Sequence, residues 1–479
     1  MSRQMSKLVI LHTNDLHSHF EQMPKIAQYV SEMRTRIGED QLLLLDIGDH
    51  MDRMFPQTEG TAGQANIEIM NATHYEAAVL GNNEGLTFTR ADLQACYEHN
   101  AKFTLIGSNI KEQATGDLPS WMVPYLITVK NGIRVGLIGL TIDFTDFYEE
   151  LGWKVEDPIK CAAHWARILR PQVDLLVVMS HLGIRHDERL AEEVEGIDVI
   201  LGGHTHHVIE EPRLIGSSYL CAAGKFGEYV GEVHVSFDQD AKKLVSITGR
   251  LQSTVDLEDN KGIRAIIDHA SVVAKATLGL EAAKLPEALH MNWYEESVLG
   301  NLLASGLRSW ADAEIGLVNA GQILRGLEAG SVTKGKLLEI CPPPINPCRI
   351  LLRGSDLLEA LEQSLLTEYT HKPIRGYGFR GEFLGMLCID GAEVTYDSSK
   401  PPMERIIDVQ IGGKPLIADN MYTVGTIDMF TFGVGYLSLS RGMETRYLLP
   451  EFLRDVLRSQ LQLSNEITKA AKSRWFDLT

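Results

Sequence analysis

The sequence predicts an α/β fold. Three observations carry the prediction: short, nearly continuous apolar runs, helix-like stretches between them, and polar residues gathered where the runs end. The runs are Leu8–Leu11, Leu42–Ile47, Ala77–Leu80, Phe103–Ile106, Val135–Leu140, Leu175–Met179 and Val199–Leu201. Apolar residues in unbroken succession suit strands covered on both faces, because side chains alternate between the two sides. Between the runs, Met23–Arg36, Ala65–Asn71 and Cys161–Leu169 read as helices. After Leu201 come shorter alternating strands, punctuated by Gly216, Gly224, Gly227 and Gly231 and ending near Gln252.

The chain then changes character. Residues 253–290 read as a helical linker and hinge, with a helix-like stretch over 256–289. Beyond it, Leu299–Trp310 is helical, Glu314–Val318 is a strand, and Cys341-Pro342-Pro343-Pro344-Ile345-Asn346-Pro347 is a rigid turn. Ser355–Leu366 is an amphipathic helix, and strand-like runs follow as far as Gly425. The resulting parse is a first domain over 1–252, the linker over 253–290, and a second α/β domain over 291–479. A chain of 479 residues accommodates this, at roughly 150 residues per domain.

Composition narrows the function. There are 45 Lys and Arg against 64 Asp and Glu, a net charge of −19. That balance opposes a nucleic-acid binder, whose affinity depends on cationic side chains neutralising phosphates. A small anionic substrate remains compatible, because bound cations reverse the local field. No apolar run approaches the ~18 residues of a membrane span. The segment Met1–Lys7 passes into a strand without the apolar region of a secretory signal. Cys96, Cys161, Cys221, Cys341, Cys348 and Cys388 are scattered and match no common zinc spacing. Reduced thiols, a cytoplasmic location and no membrane partner are the expectations; the oligomeric state is open.

The decisive pattern lies at the strand ends. Thr13-Asn14-Asp15-Leu16-His17 follows the first run, Gly48-Asp49-His50 the second, and Gly81-Asn82-Asn83-Glu84 the third. Ser180-His181-Leu182-Gly183 follows the sixth and Gly202-Gly203-His204-Thr205-His206-His207 the seventh. In open α/β sheets ligands bind at the carboxyl ends of strands. Asp, Asn and His arriving there repeatedly make a donor set for zinc, manganese or iron rather than a soft thiolate site. If two ions sit ~3.5–4 Å apart, as in phosphoryl hydrolysis, one carboxylate must bridge them. Asp49 is assigned the bridge, because it ends a strand in the middle of the set and Gly48 lets the backbone turn.

Asp15-x-His17, Gly48-Asp49, Gly81-Asn82, His181 and Gly202-Gly203-His204-x-His206 resemble the five ligand motifs of calcineurin-like dinuclear metallophosphoesterases. Ile10-Leu11-His12-Thr13-Asn14-Asp15-Leu16-His17 resembles the signature of the 5′-nucleotidase branch. The resemblance implies a four-layer N-terminal domain, a β-sandwich flanked by helices, and a C-terminal nucleotide-binding domain. It places Asp15, His17, Asp49 and His206 on a first divalent ion, and Asp49, Asn82, His181 and His204 on a second. It implies hydrolysis of a nucleotide phosphate ester by metal-activated water, with Mn, Zn or Fe as the metal. Asn319-Ala320-Gly321-Gln322-Ile323-Leu324-Arg325 resembles the family's Asn-x-Gly-Gly-x-Arg loop, with Arg325 displaced by one. Phe383 falls at the family's base-stacking aromatic. Phe430 and Phe432 are candidates for the opposite face, with strand packing as the alternative. Gly433-Val434-Gly435-Tyr436 resembles Gly-Asp-Gly-Tyr without its acid.

The third motif departs from the family. Asn83 stands where a histidine assists the leaving group, and Leu86 where that histidine's Asp partner stands. An amide donates a hydrogen bond but transfers no proton, and general acid catalysis is typically worth ~10²–10⁴. His50, His19 and His207 are candidate replacements, with His50 first because it follows Asp49. Two alternatives to a nucleotidase stay open. One is a cyclic-nucleotide phosphodiesterase or a nucleotide or sugar-nucleotide pyrophosphatase. The other is a weakly active, metal-containing nucleotide-binding protein.

Overall fold

The structure is a computed structural model that describes residues 4–479. The chain divides into two compact units, Met1–Ala274 and Lys275–Thr479, and each is described by itself.

Two sheets form the centre of the first unit. The larger has seven strands, in the order Lys243–Ser253, Tyr229–Asp238, Met5–Thr13, Leu42–Asp46, Ala77–Val79, Thr104–Ile106 and Met122–Val123. From Met5–Thr13 onward its pairings are parallel, and the first two strands close it with antiparallel partners. The second sheet has six strands, in the order Arg213–Ile215, Ser218–Ala222, Val199–Gly202, Leu175–His181, Ile133–Thr141 and Leu126–Lys130. Its four middle strands are parallel.

Alternation along the strands builds the layers. Leu8, Ile10, Leu43 and Leu45 of the first sheet meet Val135, Leu137, Leu175 and Val177 of the second in one buried core. The intervening residues face the other way. Val9, Leu11, Leu42 and Leu44 pack with Met23, Ile26, Val30 and Met33 of the helix Met23–Ile37. Leu176 and Val178 pack with Ala162, Ala166 and Leu169 of the helix Pro158–Leu169. Helices, sheet, sheet, helices: the four-layer sandwich follows from strands that are apolar on both faces.

The helix within 253–290 is shorter than the sequence suggests. Helix occupies Lys261–Leu278, and Asn260 Oδ1 caps it by accepting from Gly262 N and Ile263 N. Ile263, Ile267 and Ala270, spaced as one helical face, are buried in the core under the first sheet. The following residues are not helical. Glu281–Leu285 is a strand, paired antiparallel with Gly330–Thr333. Local apolar pattern alone does not separate a short strand from a helix extension.

The second unit has a five-stranded sheet, in the order Leu387–Asp390, Ile315–Asn319, Met421–Ile427, Pro347–Arg353 and Met443–Tyr447, and a four-stranded one. The helix Val298–Trp310 packs Leu299, Leu302, Leu303 and Leu307 into its core. Among the described residues no helix is long and apolar enough to cross a membrane.

Leu45 lies fully buried between the two sheets of the first unit. Leu45→Ala is expected to destabilise that unit by about 2–5 kcal/mol, lost transfer energy plus a cavity the sandwich cannot close. Urea unfolding followed by circular dichroism measures it.

Candidate metal centre

Parallel strands bring five loops to one edge of the sandwich. Two of them are laced together by backbone hydrogen bonds. Asp15 N donates to Gly48 O at 3.0 Å, His17 N to Asp49 O at 2.8 Å, and Ser18 N to His50 O at 2.9 Å. Asp15, His17, Ser18, Asp49, His204 and His206 all have positive φ. Left-handed backbone costs a non-glycine residue roughly 1–3 kcal/mol, so its concentration here marks a site where side-chain direction outweighs local comfort. Close approach requires glycine at position 81, where a Cβ would sit 2.0 Å from Asp49 Oδ1.

The loops assemble two adjoining groups of donors. Asp15, His17 and His206 form the first, and Asp15, Asp49 and His181 the second. In the first, His206 Nε2 lies 3.4 Å from Asp15 Oδ1, and His17 Nε2 lies 3.2 Å from His206 Nε2. In the second, His181 Nε2 is 3.4 Å from Asp49 Oδ1. Asn82 Oδ1 adjoins this group, 3.3 Å from His181 Nε2 and 2.8 Å from His204 Nδ1. Asp15 belongs to both groups, and Asp49 reaches from the second toward the first: Oδ1 faces His181, while Oδ2 lies 3.7 Å from His17 Nε2. All seven residues singled out as ligands are thus brought to one place.

Surrounding contacts orient these side chains. His181 Nδ1 donates to Ile47 O at 2.7 Å, so it is Nε2 that faces the group, as a lone pair whenever the ring is neutral. Asn14 Nδ2 donates to Asp15 Oδ2 at 2.8 Å, and His204 N donates to both Asp15 oxygens. Glu84 fixes the loop after the third strand by accepting from Asp49 N, Met51 N and Gly81 N. Asn83 N donates to Asp49 Oδ1 at 2.8 Å.

The electrostatics are those of buried acid held by imidazole. Burial alone would raise the pKa of Asp15 and Asp49. The His206 hydrogen bond at Asp15, and the His181 charge at Asp49, outweigh it and hold both below the usual carboxylate range. His181 rises to about 10: burial opposes its charge, but Asp49 prevails. Glu84 is pushed up to about 8 by burial and by the Asp49 charge. Among the described residues, the ionic partners of Asp15 and Asp49 are histidines alone. Two buried carboxylates, imidazoles and one amide oxygen, without Lys or Arg, match the donor set of a divalent cation site.

His50 is a correction. Beyond the left-handed turn at Asp49 its ring points into the fold, edge-on to Tyr75, with Nδ1 3.2 Å from Asn66 Nδ2. Burial lowers its pKa to about 3, and Nε2 is buried without a hydrogen-bond partner. In that placement its ring contacts are Asn66 and Tyr75, not the donor groups. His19 pairs with Glu21, and His207 with Thr205. Asn83, by contrast, is at the site: its Nδ2 lies 2.9 Å from His17 Nδ1 and 3.1 Å from Met51 O. Three neighbours escaped the sequence reading. Asp52 Oδ2 lies 3.8 Å from His17 Nδ1, Glu84 anchors the third loop, and the Phe226 ring lies 5.8 Å from His17. Two had a local signal: Glu84 closes the third motif, and Asp52 lies three residues after Asp49.

In the second unit, Asn319 is buried and donates to Leu384 O at 2.6 Å, while Gln322 Nε2 donates to Asn319 Oδ1. This ties the Asn319 loop to the segment carrying Phe383. Phe383 is half-buried beside Trp293, Tyr294 and His371, and the last two stack at 4.0 Å. Arg325 is exposed and paired with Glu339 at 2.8 Å. Phe430 takes the packing alternative. It is fully buried, edge-on to Tyr436, so it belongs to the core and offers no stacking face. Phe432 is 45% exposed beside Tyr377. A helical turn over Asp428–Thr431 sends the two rings to different sides, where strand alternation would have given them one face.

Comparison with known proteins agrees with this architecture. Residues 8–208 match the calcineurin-like phosphoesterase family, and 272–437 match the 5′-nucleotidase C-terminal domain. The chain is 37% identical over 459 residues to an uncharacterised metallophosphoesterase, YunD, of Bacillus subtilis, covering 95% of this chain and 99% of that one. It is 25% identical to a human 5′-nucleotidase, over 87% of this chain and 82% of the other. Among solved structures, the NAD nucleotidase of Haemophilus influenzae shares the fold with a TM-score of 0.69 at 17% identity, over 99% and 98% of the two chains. Family, relatives and donor set converge: the chain belongs to the calcineurin-like metallophosphoesterases, hydrolases of phosphate ester bonds built on a divalent-metal site, in the branch that carries a 5′-nucleotidase C-terminal domain.

Proposed function

We propose that the first unit hydrolyses a phosphate ester of a nucleotide and that the second unit recognises the nucleotide. One ion is assigned to Asp15, His17, Asp49 and His206, and the other to Asp49, Asn82, His181 and His204. The observation that carries the assignment is Asp49, whose two oxygens face different histidines in adjoining groups. When bound, a pair of divalent ions supplies the charge that polarises a phosphoryl oxygen and makes water nucleophilic near neutral pH. Manganese, zinc and iron all suit these donors.

The protein's own residues do the positioning. His181, fixed through Ile47 O, presents Nε2 in one orientation. The Asn83 amide offers N–H groups to a phosphoryl oxygen but no transferable proton. Phe383 is the candidate base-stacking ring, and Arg325 a candidate for a substrate anion if it leaves Glu339. Six buried free cysteines support a reducing, cytoplasmic setting.

A second reading has a specific observation in its favour. With an amide at position 83 and His50 turned inward, a leaving group that needs no proton is the easier one to expel. A pyrophosphate bond, whose leaving group is itself a phosphate, fits that description better than a simple monoester.

Product analysis with 5′-monophosphates, cyclic nucleotides, dinucleotides and sugar nucleotides separates the readings, using manganese-loaded protein beside Asp49→Ala: inorganic phosphate marks monoester hydrolysis, and a nucleoside monophosphate marks cleavage of a diester or pyrophosphate bond. Release from monophosphates that vanishes in Asp49→Ala is the expected outcome. Cleavage confined to diesters or pyrophosphates selects the second reading, and silence with two ions bound makes the chain a nucleotide-binding protein. Phe383→Ala is expected to raise KM about tenfold while kcat holds, a loss in line with the ~1–3 kcal/mol of one base–aromatic stack. Steady-state kinetics on the preferred nucleotide check it.

A further inference from the structure

His17 has two faces with opposite demands. Its Nε2 looks toward His206 Nε2 at 3.2 Å, Asp49 Oδ2 at 3.7 Å and Asp15 Oδ1 at 3.8 Å. If an ion binds there, as the reading above requires, Nε2 must offer a lone pair, so the neutral ring carries its proton on Nδ1.

Two groups compete for Nδ1. Asn83 Nδ2 lies 2.9 Å away, and the same nitrogen lies 3.1 Å from Met51 O. The Met51 carbonyl only accepts, so it turns the amide's N–H groups toward His17. A donor at Nδ1 wants a lone pair there and pushes the proton to Nε2, the form unable to hold an ion. Asp52 Oδ2, 3.8 Å from Nδ1, is an acceptor and asks for the opposite form. Asp52 is buried and fixed. Its N donates to Ser18 Oγ at 2.8 Å, and its Oδ1 accepts from Met54 N at 2.9 Å. Ser18 Oγ is held in turn by Thr58 and Asn66.

We infer that Asp52 is a positioning residue that selects the metal-binding tautomer of His17, and that Asn83 opposes it. The inference rests on His17 being a ligand. It gives position 83 a role that its loss of the family histidine alone does not suggest. Asn83 and Asp52 hold His17 between a form closed to metal and a form open to it. Loading that ion leaves the Asn83 N–H without its His17 acceptor and free for a ligand oxygen.

Asp52→Asn tests this with almost no change of shape. The amide oxygen keeps the bond from Met54 N, while the amide nitrogen turns a donor toward Nδ1. Manganese affinity of the full chain is measured by competition with a chelator, beside thermal unfolding of the metal-free protein. Expected is a loss of about 10–100-fold at one of two ions, the scale of a lost ligand-orienting partner, with the metal-free melting temperature unchanged. Asn83→Leu, which removes the competing donor, is expected to tighten that same ion. In zinc-loaded protein, imidazole nitrogen NMR should report the proton of His17 on Nδ1, with His17→Gln identifying its signal. Wild-type affinity at both ions in Asp52→Asn overturns the inference, as does equal weakening of both ions with a lower melting temperature. Weaker binding in Asn83→Leu overturns Asn83's opposition. A wild-type chain that takes up no ion removes the metal assignment itself, and the inference with it.

Discussion

The site depends on one difficult arrangement, two carboxylates buried side by side. Asp15 and Asp49 are almost inaccessible, and each stands in a left-handed turn at the end of a parallel strand. Burying one unpaired charge costs several kcal/mol, and two of like sign repel as well. The fold answers with hydrogen-bond donors and imidazoles rather than with Lys or Arg. Asp49 takes a backbone N–H from Asn83, and Asp15 takes one from His204 together with the Asn14 amide. Histidines do the rest, and divalent ions complete the balance in a way that hydrogen bonds alone do not. A lysine in their place would satisfy the charge and abolish the site.

Rigid surroundings make that arrangement tenable. Six strained residues would relax if their loops were free, but the loops issue from strands locked in the sandwich and are laced to each other. Glu84 shows how tightly. Its two oxygens accept three backbone N–H groups from two loops, so the third motif cannot shift without unpairing the second. Stability of the sandwich core and precision of the site are therefore one property. A core mutation that loosens the strand ends should blur the donor geometry before it unfolds the chain.

The strands and the cluster of candidate ligands were legible in the sequence for a shared reason, while the four-layer arrangement came from the family resemblance. Strands apolar on both faces leave a strong local pattern, and polar residues immediately beyond them have few roles except at a site. Asp15, Asp49 and His181 therefore stood out, and the structure gathers them. What failed was finer than an element. The residue after Asp49 takes the opposite direction because Asp49 itself is left-handed, and no adjacency rule foresees that for His50. Phe430 and Phe432 look like a strand pair until a single helical turn separates them. Glu281–Leu285 is a strand only because Gly330–Thr333, far along the chain, is there to pair with it. Phe226 reaches the site from beyond 200 residues away, again through a left-handed turn.

Position 83 shows how a substitution at one motif redistributes work rather than deleting it. A histidine there would be both donor and acceptor, able to transfer a proton. The asparagine retains only donation on the side that faces His17, and Met51 O fixes that direction. Its influence therefore passes through the neighbouring imidazole, where the acceptor Asp52 stands against it. Such an arrangement trades proton transfer for control over which nitrogen of His17 is free. With no transferable proton at position 83, the leaving oxygen of a monoester has to take its proton from elsewhere, while a phosphate leaving group departs as a stable anion without one.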